Sequence, residues 1–126
     1  IRDDIYQATG VESVYYRFPG GSSNTVSNID MHEFIDYLDS QGVEYFDWNV
    51  SSGDAAGTPA SSGQIYNIVT SALRHGRSNV VLMHDAGAKG TTADALPDII
   101  RYCLANGYSI QPIPPATKPV HHGIAN

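Results

Sequence analysis

The 126-residue sequence has few cationic residues and a single cysteine, and each scarcity excludes a class of protein. Seven Lys and Arg against thirteen Asp and Glu give a net charge of −6. This charge argues against nucleic acid as a partner, because phosphate binding needs clustered cations. Cys103 alone forms neither an internal disulfide nor a cysteine-based zinc site. No apolar run approaches the roughly 20 residues that span a membrane.

Signals for helices and strands alternate along the chain. Apolar residues at helical spacing, with capping residues and terminal glycines, predict helices. These helices cover residues 1–10, Asp30 to about Ser40, Ser61 or Ser62 to Gly76, and about Thr92 to Asn106. Runs of aromatic and β-branched residues predict strands in SVYYRF, VEYFDW, NVVLMHD and YSIQPI. A capping box is predicted at Asp30 and Glu33, and the segment NVSSGDAAGTPASSG predicts a long loop.

This alternation predicts an α/β fold with a parallel sheet and helices packed outside it, either an open doubly wound sheet or a barrel. About four strands are too few to close a barrel, so we expect half of one. The chain also begins as if within a helix, since Ile1 and Ile5 form an i,i+4 pair that ends at Gly10. Two explanations stay open, a fragment of a cleaved chain and a boundary chosen for expression.

Polar side chains follow the first three predicted strands where each strand ends. Arg17 ends the first, Asp47 and Trp48 end the second, and His84 and Asp85 end the third. Because active sites of parallel α/β folds gather at the carboxyl ends of strands, we expect Arg17, Asp47 and His84 to converge on one rim.

The chemistry of these residue types suits a general acid. Asp47 beside His84 would stabilise the protonated imidazole and orient it, and Arg17 would hold a carboxylate by a bidentate contact. The Gly20–Gly21 turn exposes N–H groups for an oxyanion. Plainer roles stay open for each residue: a structural histidine, a loop-capping aspartate, a surface ion pair.

Other candidate sites carry weaker signals. Ser22 and Ser23 follow Pro-Gly-Gly, but no Gly-x-Ser-x-Gly nucleophile elbow is present. His121 and His122 lie in a proline-rich tail, where a metal site and a terminal role both stay open.

The three strand ends RFPGG, DW and LMHD resemble, in order, the third, fourth and fifth motifs of the NodB-like polysaccharide deacetylases, the family-4 carbohydrate esterases. The first motif of that family, Thr-Phe-Asp-Asp, and its second, His-Ser/Thr-x-x-His, have no counterpart here. Residues 1–126 thus resemble the C-terminal half of a distorted (β/α) barrel. The portion that carries the metal and base motifs is absent from this chain.

The resemblance implies a role for each matched residue. His84 would be the general acid, Asp47 the carboxylate that tunes it, and Arg17 the group that positions a base in the absent half. The N–H of Gly20 would donate to the oxyanion. The walls of the acetyl pocket would be Trp48 and Leu82.

The function that the resemblance implies is metal-dependent hydrolysis of N-acetyl groups from a glycan such as peptidoglycan or chitooligosaccharide. A divalent metal, commonly zinc, would bind in the intact domain through ligands outside this chain, and we expect the chain alone to be inactive. Its partners would be the acetylated glycan and either the missing N-terminal half or a second copy of the chain. Location at the cell surface, or secretion, follows from the family alone. The alternative is an inactive, deacetylase-like glycan-binding or regulatory module.

Overall fold

The computed structural model describes residues 1–124, and the chain divides into two compact units. The first unit comprises Ile1–Asp47 with Pro119–Asn126, and the second comprises Trp48–Lys118. Within the described residues, no helix is both long and apolar enough to cross a membrane. The prediction that residues 1–126 form the C-terminal half of one barrel domain stays a prediction.

In the first unit two helices accompany a pair of parallel strands. Helix α1 (Arg2–Thr9) ends at Gly10, whose φ of 72° suits glycine. Strand β1 (Tyr15–Tyr16) pairs in parallel with β2 (Glu44–Tyr45), and α2 (Met31–Ser40) connects them. The core of this unit is a cluster formed by Phe18, Met31 and Tyr45, with Ile35 and Leu38 against it.

In the second unit two helices cover another parallel pair. Strand β3 (Val50–Ser51) pairs with β4 (Val81–Leu82), with α3 (Ser62–Ala72) between them and α4 (Gly90–Ala105) after them. Helix α3 begins with a full capping box, in which Ser61 and Gln64 satisfy each other's main-chain N–H groups. The buried apolar side chains of the core are Val50, Ile65, Val69, Leu73, Ala95, Ile99 and Cys103.

The parallel pairing of both strand pairs confirms the α/β prediction in its coarser form, while three details were wrong. Residues 108–113, all of which the structure describes, form no strand; Pro112 has no N–H to donate to a ladder. Strand β3 lies inside the predicted loop. At the start of α2 the Asp30 side chain accepts the N–H of His32 at 2.9 Å in place of the N–H of Glu33, so the predicted capping box is not formed.

Candidate active site

His84 is held by a buried aspartate. It follows β4, and its ring Nδ1 lies 2.7 Å from Oδ1 of Asp54. Its main-chain N–H donates to Oδ2 of the same carboxylate at 2.8 Å. The His84 side chain is 37% exposed, while that of Asp54 is 3% exposed. The imidazole is therefore anchored on one nitrogen, and Nε2 makes no hydrogen bond to any of residues 1–124.

The position of Asp54 follows from the unexpected strand β3. Ser51 pairs with Leu82, and the N–H of Ser52 donates to the Leu82 carbonyl at 3.1 Å. Gly53 then turns the chain with a φ of 75°. Asp54 thus lies just beyond the carboxyl end of β3, beside the residues that follow β4, and this explains how it reaches His84.

Two residues at the start of α4 donate further hydrogen bonds to Asp54, one to its side chain and one to its main chain. Thr92 is buried in the first turns of α4, and its Oγ1 donates to Oδ2 of Asp54 at 3.0 Å. Just before that helix, Nζ of Lys89 donates to the main-chain carbonyl of Asp54. Asp54 therefore connects β3, His84 and α4 within the second unit.

Hydrogen bonds keep Asp54 ionised despite its burial. Burial raises the pKa of this carboxyl group, but hydrogen bonds from Ser52, His84 and Thr92 outweigh it and hold the pKa well below its usual value of 3.8. The result is a fixed negative charge against the imidazole. Such a charge orients the ring through the bond to Nδ1.

Strand β4 gives Leu82 and His84 the same orientation, as the sequence predicts. Val81 and Met83 pack against the core of the second unit, so the alternation of side chains places Leu82 and His84 on the other face. Leu82 is half-buried, as is Trp48. Their assignment to an acetyl pocket stays a prediction.

Asp47 is engaged within the first unit. Its Oδ1 accepts the main-chain N–H of Ser22 at 2.8 Å, and its Oδ2 accepts the hydroxyl of Ser22. Oδ2 also accepts the main-chain N–H of His122 at 2.8 Å. The sequence predicts Asp47 as the carboxylate that orients His84, but the carboxylate bonded to that imidazole is Asp54. The catalytic role of Asp47 stays a prediction, and Asp54 was not a candidate because the sequence predicts a loop where β3 lies.

Arg17 and Gly20 present unengaged donors. Arg17 is exposed, and its guanidinium makes no hydrogen bond or ion pair with any of residues 1–124. Gly20 is an exposed residue with a φ of 75°, and its N–H likewise has no acceptor in that part of the chain. Both are therefore available to groups outside the chain, and their catalytic roles stay predictions.

No resident metal site is formed by the described residues. Within residues 1–124, no group of three or more His, Cys, Asp or Glu side chains is arranged to hold a metal ion. His121 instead stacks on the Tyr45 ring at 3.8 Å, with its Nε2 3.1 Å from the Tyr45 carbonyl. The donor set of residues 1–124 does not fit the metal that the family resemblance implies.

Sequence reasoning missed Asp54 and Thr92, and it considered Ser22 and His122 for roles other than the ones that the structure shows. For Asp54 a signal existed, because Val50 and Ser51 alternate apolar and polar before the Gly53 turn. For Thr92 and Ser22, only the folded chain shows the contact. His122 was noted as a metal candidate, while its main-chain N–H is what bonds to Asp47.

Comparison with known proteins relates the chain to deacetylases. No protein-family model and no curated protein matches it. The catalytic domain of a peptidoglycan N-acetylglucosamine deacetylase from Eubacterium rectale superposes with a TM-score of 0.91 at 38% identity, covering 99% of this chain and 58% of that one. A CE4 esterase from Streptococcus mutans matches with a TM-score of 0.70 at 28% identity, covering 86% of this chain and 48% of that one.

A third solved structure agrees in fold. The polysaccharide deacetylase Bc1974 from Bacillus cereus gives a TM-score of 0.78 at 21% identity, over 95% of this chain and 57% of that one. The chain thus spans about half the length of the structures it matches. By its fold, its three ordered strand-end motifs and its identity to the Eubacterium rectale domain, the chain belongs to the NodB-like polysaccharide deacetylases, the family-4 carbohydrate esterases.

Proposed function

We propose that the protein removes N-acetyl groups from a glycan such as peptidoglycan or chitooligosaccharide, with this chain supplying the proton-donating side of the site. The observation that carries this proposal is the bond between Nδ1 of His84 and the buried Asp54 carboxylate, 2.7 Å long. It leaves Nε2 on a half-exposed ring as the nitrogen that can meet a substrate.

The proton transfer follows from this geometry. When the amide C–N bond breaks, its electron pair goes to the departing nitrogen, which must gain a proton to leave as an amine. The Nε2–H of protonated His84 would give that proton. The Asp54 carboxylate compensates the positive charge of the ring before transfer and keeps the ring oriented.

The unengaged donors fit complementary tasks. We assign the N–H of Gly20 to the oxyanion that develops on the acetyl carbonyl, because no side chain obstructs its approach. Arg17 would position a carboxylate base by a charge-assisted contact. Trp48 and Leu82 would enclose the acetyl methyl group.

The remaining parts of the site are proposed to lie outside this chain. A divalent metal of the kind that the family resemblance implies would polarise the acetamide carbonyl and activate water. None of the described residues is arranged to hold it. We propose that the metal ligands and the base lie in the portion of the relatives' fold that this chain does not span. We also propose that both strand pairs of this chain belong to a (β/α) barrel that this portion completes. A glycan of the cell wall as substrate would place the protein at the cell surface or outside it.

The test replaces His84 in the whole protein. We expect His84→Gln to lower the rate of acetate release from an N-acetylglucosamine oligomer by about 100-fold or more, because general acid catalysis contributes on the order of 10²–10⁴. The matched control is His75→Gln, at an exposed position where the ring only stacks on Tyr108. Full activity of His84→Gln would contradict the proposal. Oligomer binding without any acetate release by the unsubstituted protein would favour the inactive binding module.

A further inference from the structure

The segment Pro119–Ile124 is hydrogen-bonded to the rest of the first unit through main-chain groups. The N–H of Asp47 donates to the carbonyl of Val120 at 2.7 Å, and the N–H of His122 donates back to the Asp47 carboxylate at 2.8 Å. Ile124 packs against the apolar cluster around Met31. A segment about 75 residues further along the chain is thus part of the surroundings of Asp47.

The same carboxylate holds the turn that contains Gly20. Ser22 donates to it twice, through its main-chain N–H at 2.8 Å and through its hydroxyl. Asp47 and Ser22 are 1% and 0% exposed, so this contact is shielded from water. Burial raises the pKa of Asp47, but hydrogen bonds from the N–H of His122 and from both Ser22 donors outweigh this effect. The net pKa is below its usual value, so the carboxylate stays charged.

Among Pro19, Gly20, Gly21 and Ser22, Gly20 alone has an N–H without an acceptor in residues 1–124. The N–H of Gly21 is bound to the Phe18 carbonyl at 2.8 Å, and that of Ser22 is bound to Asp47. Pro19 has no N–H. Gly20 is an exposed residue, and the direction of its N–H depends on the bonds that Phe18, Gly21 and Ser22 make around it.

We propose that Asp47 is a positioning residue for the N–H of Gly20. The Asp47 carboxylate, bonded to Ser22 and to the main-chain N–H of His122, forms a clamp that holds the turn of Gly20 in place. The inference rests on the proposed function, since it concerns the oxyanion donor of that reaction. Asp47 acts through Ser22, and His122 fixes the second carboxylate oxygen. The terminal segment therefore determines the geometry of a group in the active site.

The test compares two substitutions of His122 in the whole protein. His122→Pro removes the N–H that binds Asp47, whereas His122→Ala keeps it. We expect kcat for an N-acetylglucosamine oligomer to be about 10- to 100-fold lower for His122→Pro than for His122→Ala, with KM equal within about twofold. An oxyanion donor acts in the transition state, so its displacement lowers kcat and leaves KM unchanged. Equal kcat values, or a difference confined to KM, would overturn the inference.

Two further measurements separate a clamp from general stabilisation. Ser22→Ala removes the hydroxyl that donates to Asp47, and it replaces the first test if His122→Pro does not fold. A lowered kcat in Ser22→Ala supports the clamp. An unchanged kcat refutes it. Amide hydrogen exchange gives a readout that needs no turnover. In His122→Pro, compared with His122→Ala, the clamp predicts faster exchange of the Gly21 and Ser22 amides and unchanged exchange in α2. Uniformly faster exchange across the first unit refutes the clamp. If the unsubstituted protein releases no acetate, the proposed function fails, and exchange still reports on the clamp.

Discussion

At the scale of single residues, two buried aspartates organise the two units. Asp47 and Asp54 are 1% and 4% exposed, and each accepts at least three hydrogen bonds from neutral or cationic donors. A buried carboxylate is tolerated when donors saturate its oxygens, since unpaired charge is costly away from water. Each aspartate therefore acts as a fixed anion around which a turn, a strand end and a distant segment are arranged.

The sequence identified one of these aspartates and not the other. Asp47 directly follows a predicted strand and precedes Trp48, so its position and the family motif both indicated a role. Asp54 lies in a stretch of small residues whose composition is typical of a loop. Its partner His84 is 30 residues away, and a pairing over that distance depends on the register of β3 with β4. Local patterns do not contain that register.

We predict that the carboxylate of Asp54 makes the protein sensitive to acid. Its pKa lies below the unfolded value near 3.8, so its contribution to folding is complete above about pH 4 and is lost as pH falls through the folded pKa. Asp54→Asn should cost about 1–3 kcal/mol at neutral pH, because an amide NH₂ would face hydrogen-bond donors. The free energy of unfolding, measured from pH 7 to pH 2, should fall less steeply below pH 4 in this variant.

The control for acid sensitivity is Asp36→Asn, which makes the same change of charge at an exposed position of α2. We expect it to unfold with the pH profile of the unsubstituted protein. Identical acid profiles for Asp54→Asn and the unsubstituted protein would show that Asp54 is not responsible for the acid response.

At the scale of elements, the helices and the positions of β1, β2 and β4 were predictable, while β3 and the extent of each strand were not. Helices α1 and α3 carry their own boundaries in the sequence, through the left-handed Gly10 and the Ser61–Gln64 box. Strands of two residues carry no such boundary. Their extent is determined by the partner that the rest of the fold brings alongside, so YSIQPI was mistaken for a strand and β3 for a loop.

The turn after β3 provides a test of how an element positions the site. Gly53 has a φ of 75°, and an added Cβ would lie 2.9 Å from Cδ1 of Ile68 on α3. We predict that Gly53→Ala destabilises the protein by about 1–2 kcal/mol, mainly because a left-handed conformation disfavours a side chain. The measurement is the free energy of unfolding in urea.

Gly57→Ala is the matched control for this turn. Gly57 lies in the same segment, has no positive φ, and has open space where a Cβ would be added. We expect a change within about 0.5 kcal/mol at this position. If Gly53→Ala were as stable as Gly57→Ala, the left-handed turn would not be what presents Asp54 to His84.

At the scale of the whole molecule, the two units differ in how they are built from the chain. The second unit is one continuous segment, whereas the first joins the N-terminal residues to the segment Pro119–Asn126. The sequence alone shows this segment as a proline-rich tail. Its bonds to Asp47 are not visible there, because they join residues about 75 positions apart. Contacts at that separation depend on the complete fold and leave no periodic signal in the segment itself.

The last prediction concerns what the 126 residues do without the rest of the protein. We expect the isolated chain to release no acetate from an N-acetylglucosamine oligomer and to retain less than stoichiometric zinc after dialysis, since residues 1–124 contain no three-ligand cluster. The whole protein should do both, because the relatives whose fold this chain shares are about twice as long. Intact-mass measurement of the sample excludes a co-purified second fragment. Turnover together with one bound zinc per isolated chain would show that residues 1–126 themselves hold the metal and the base.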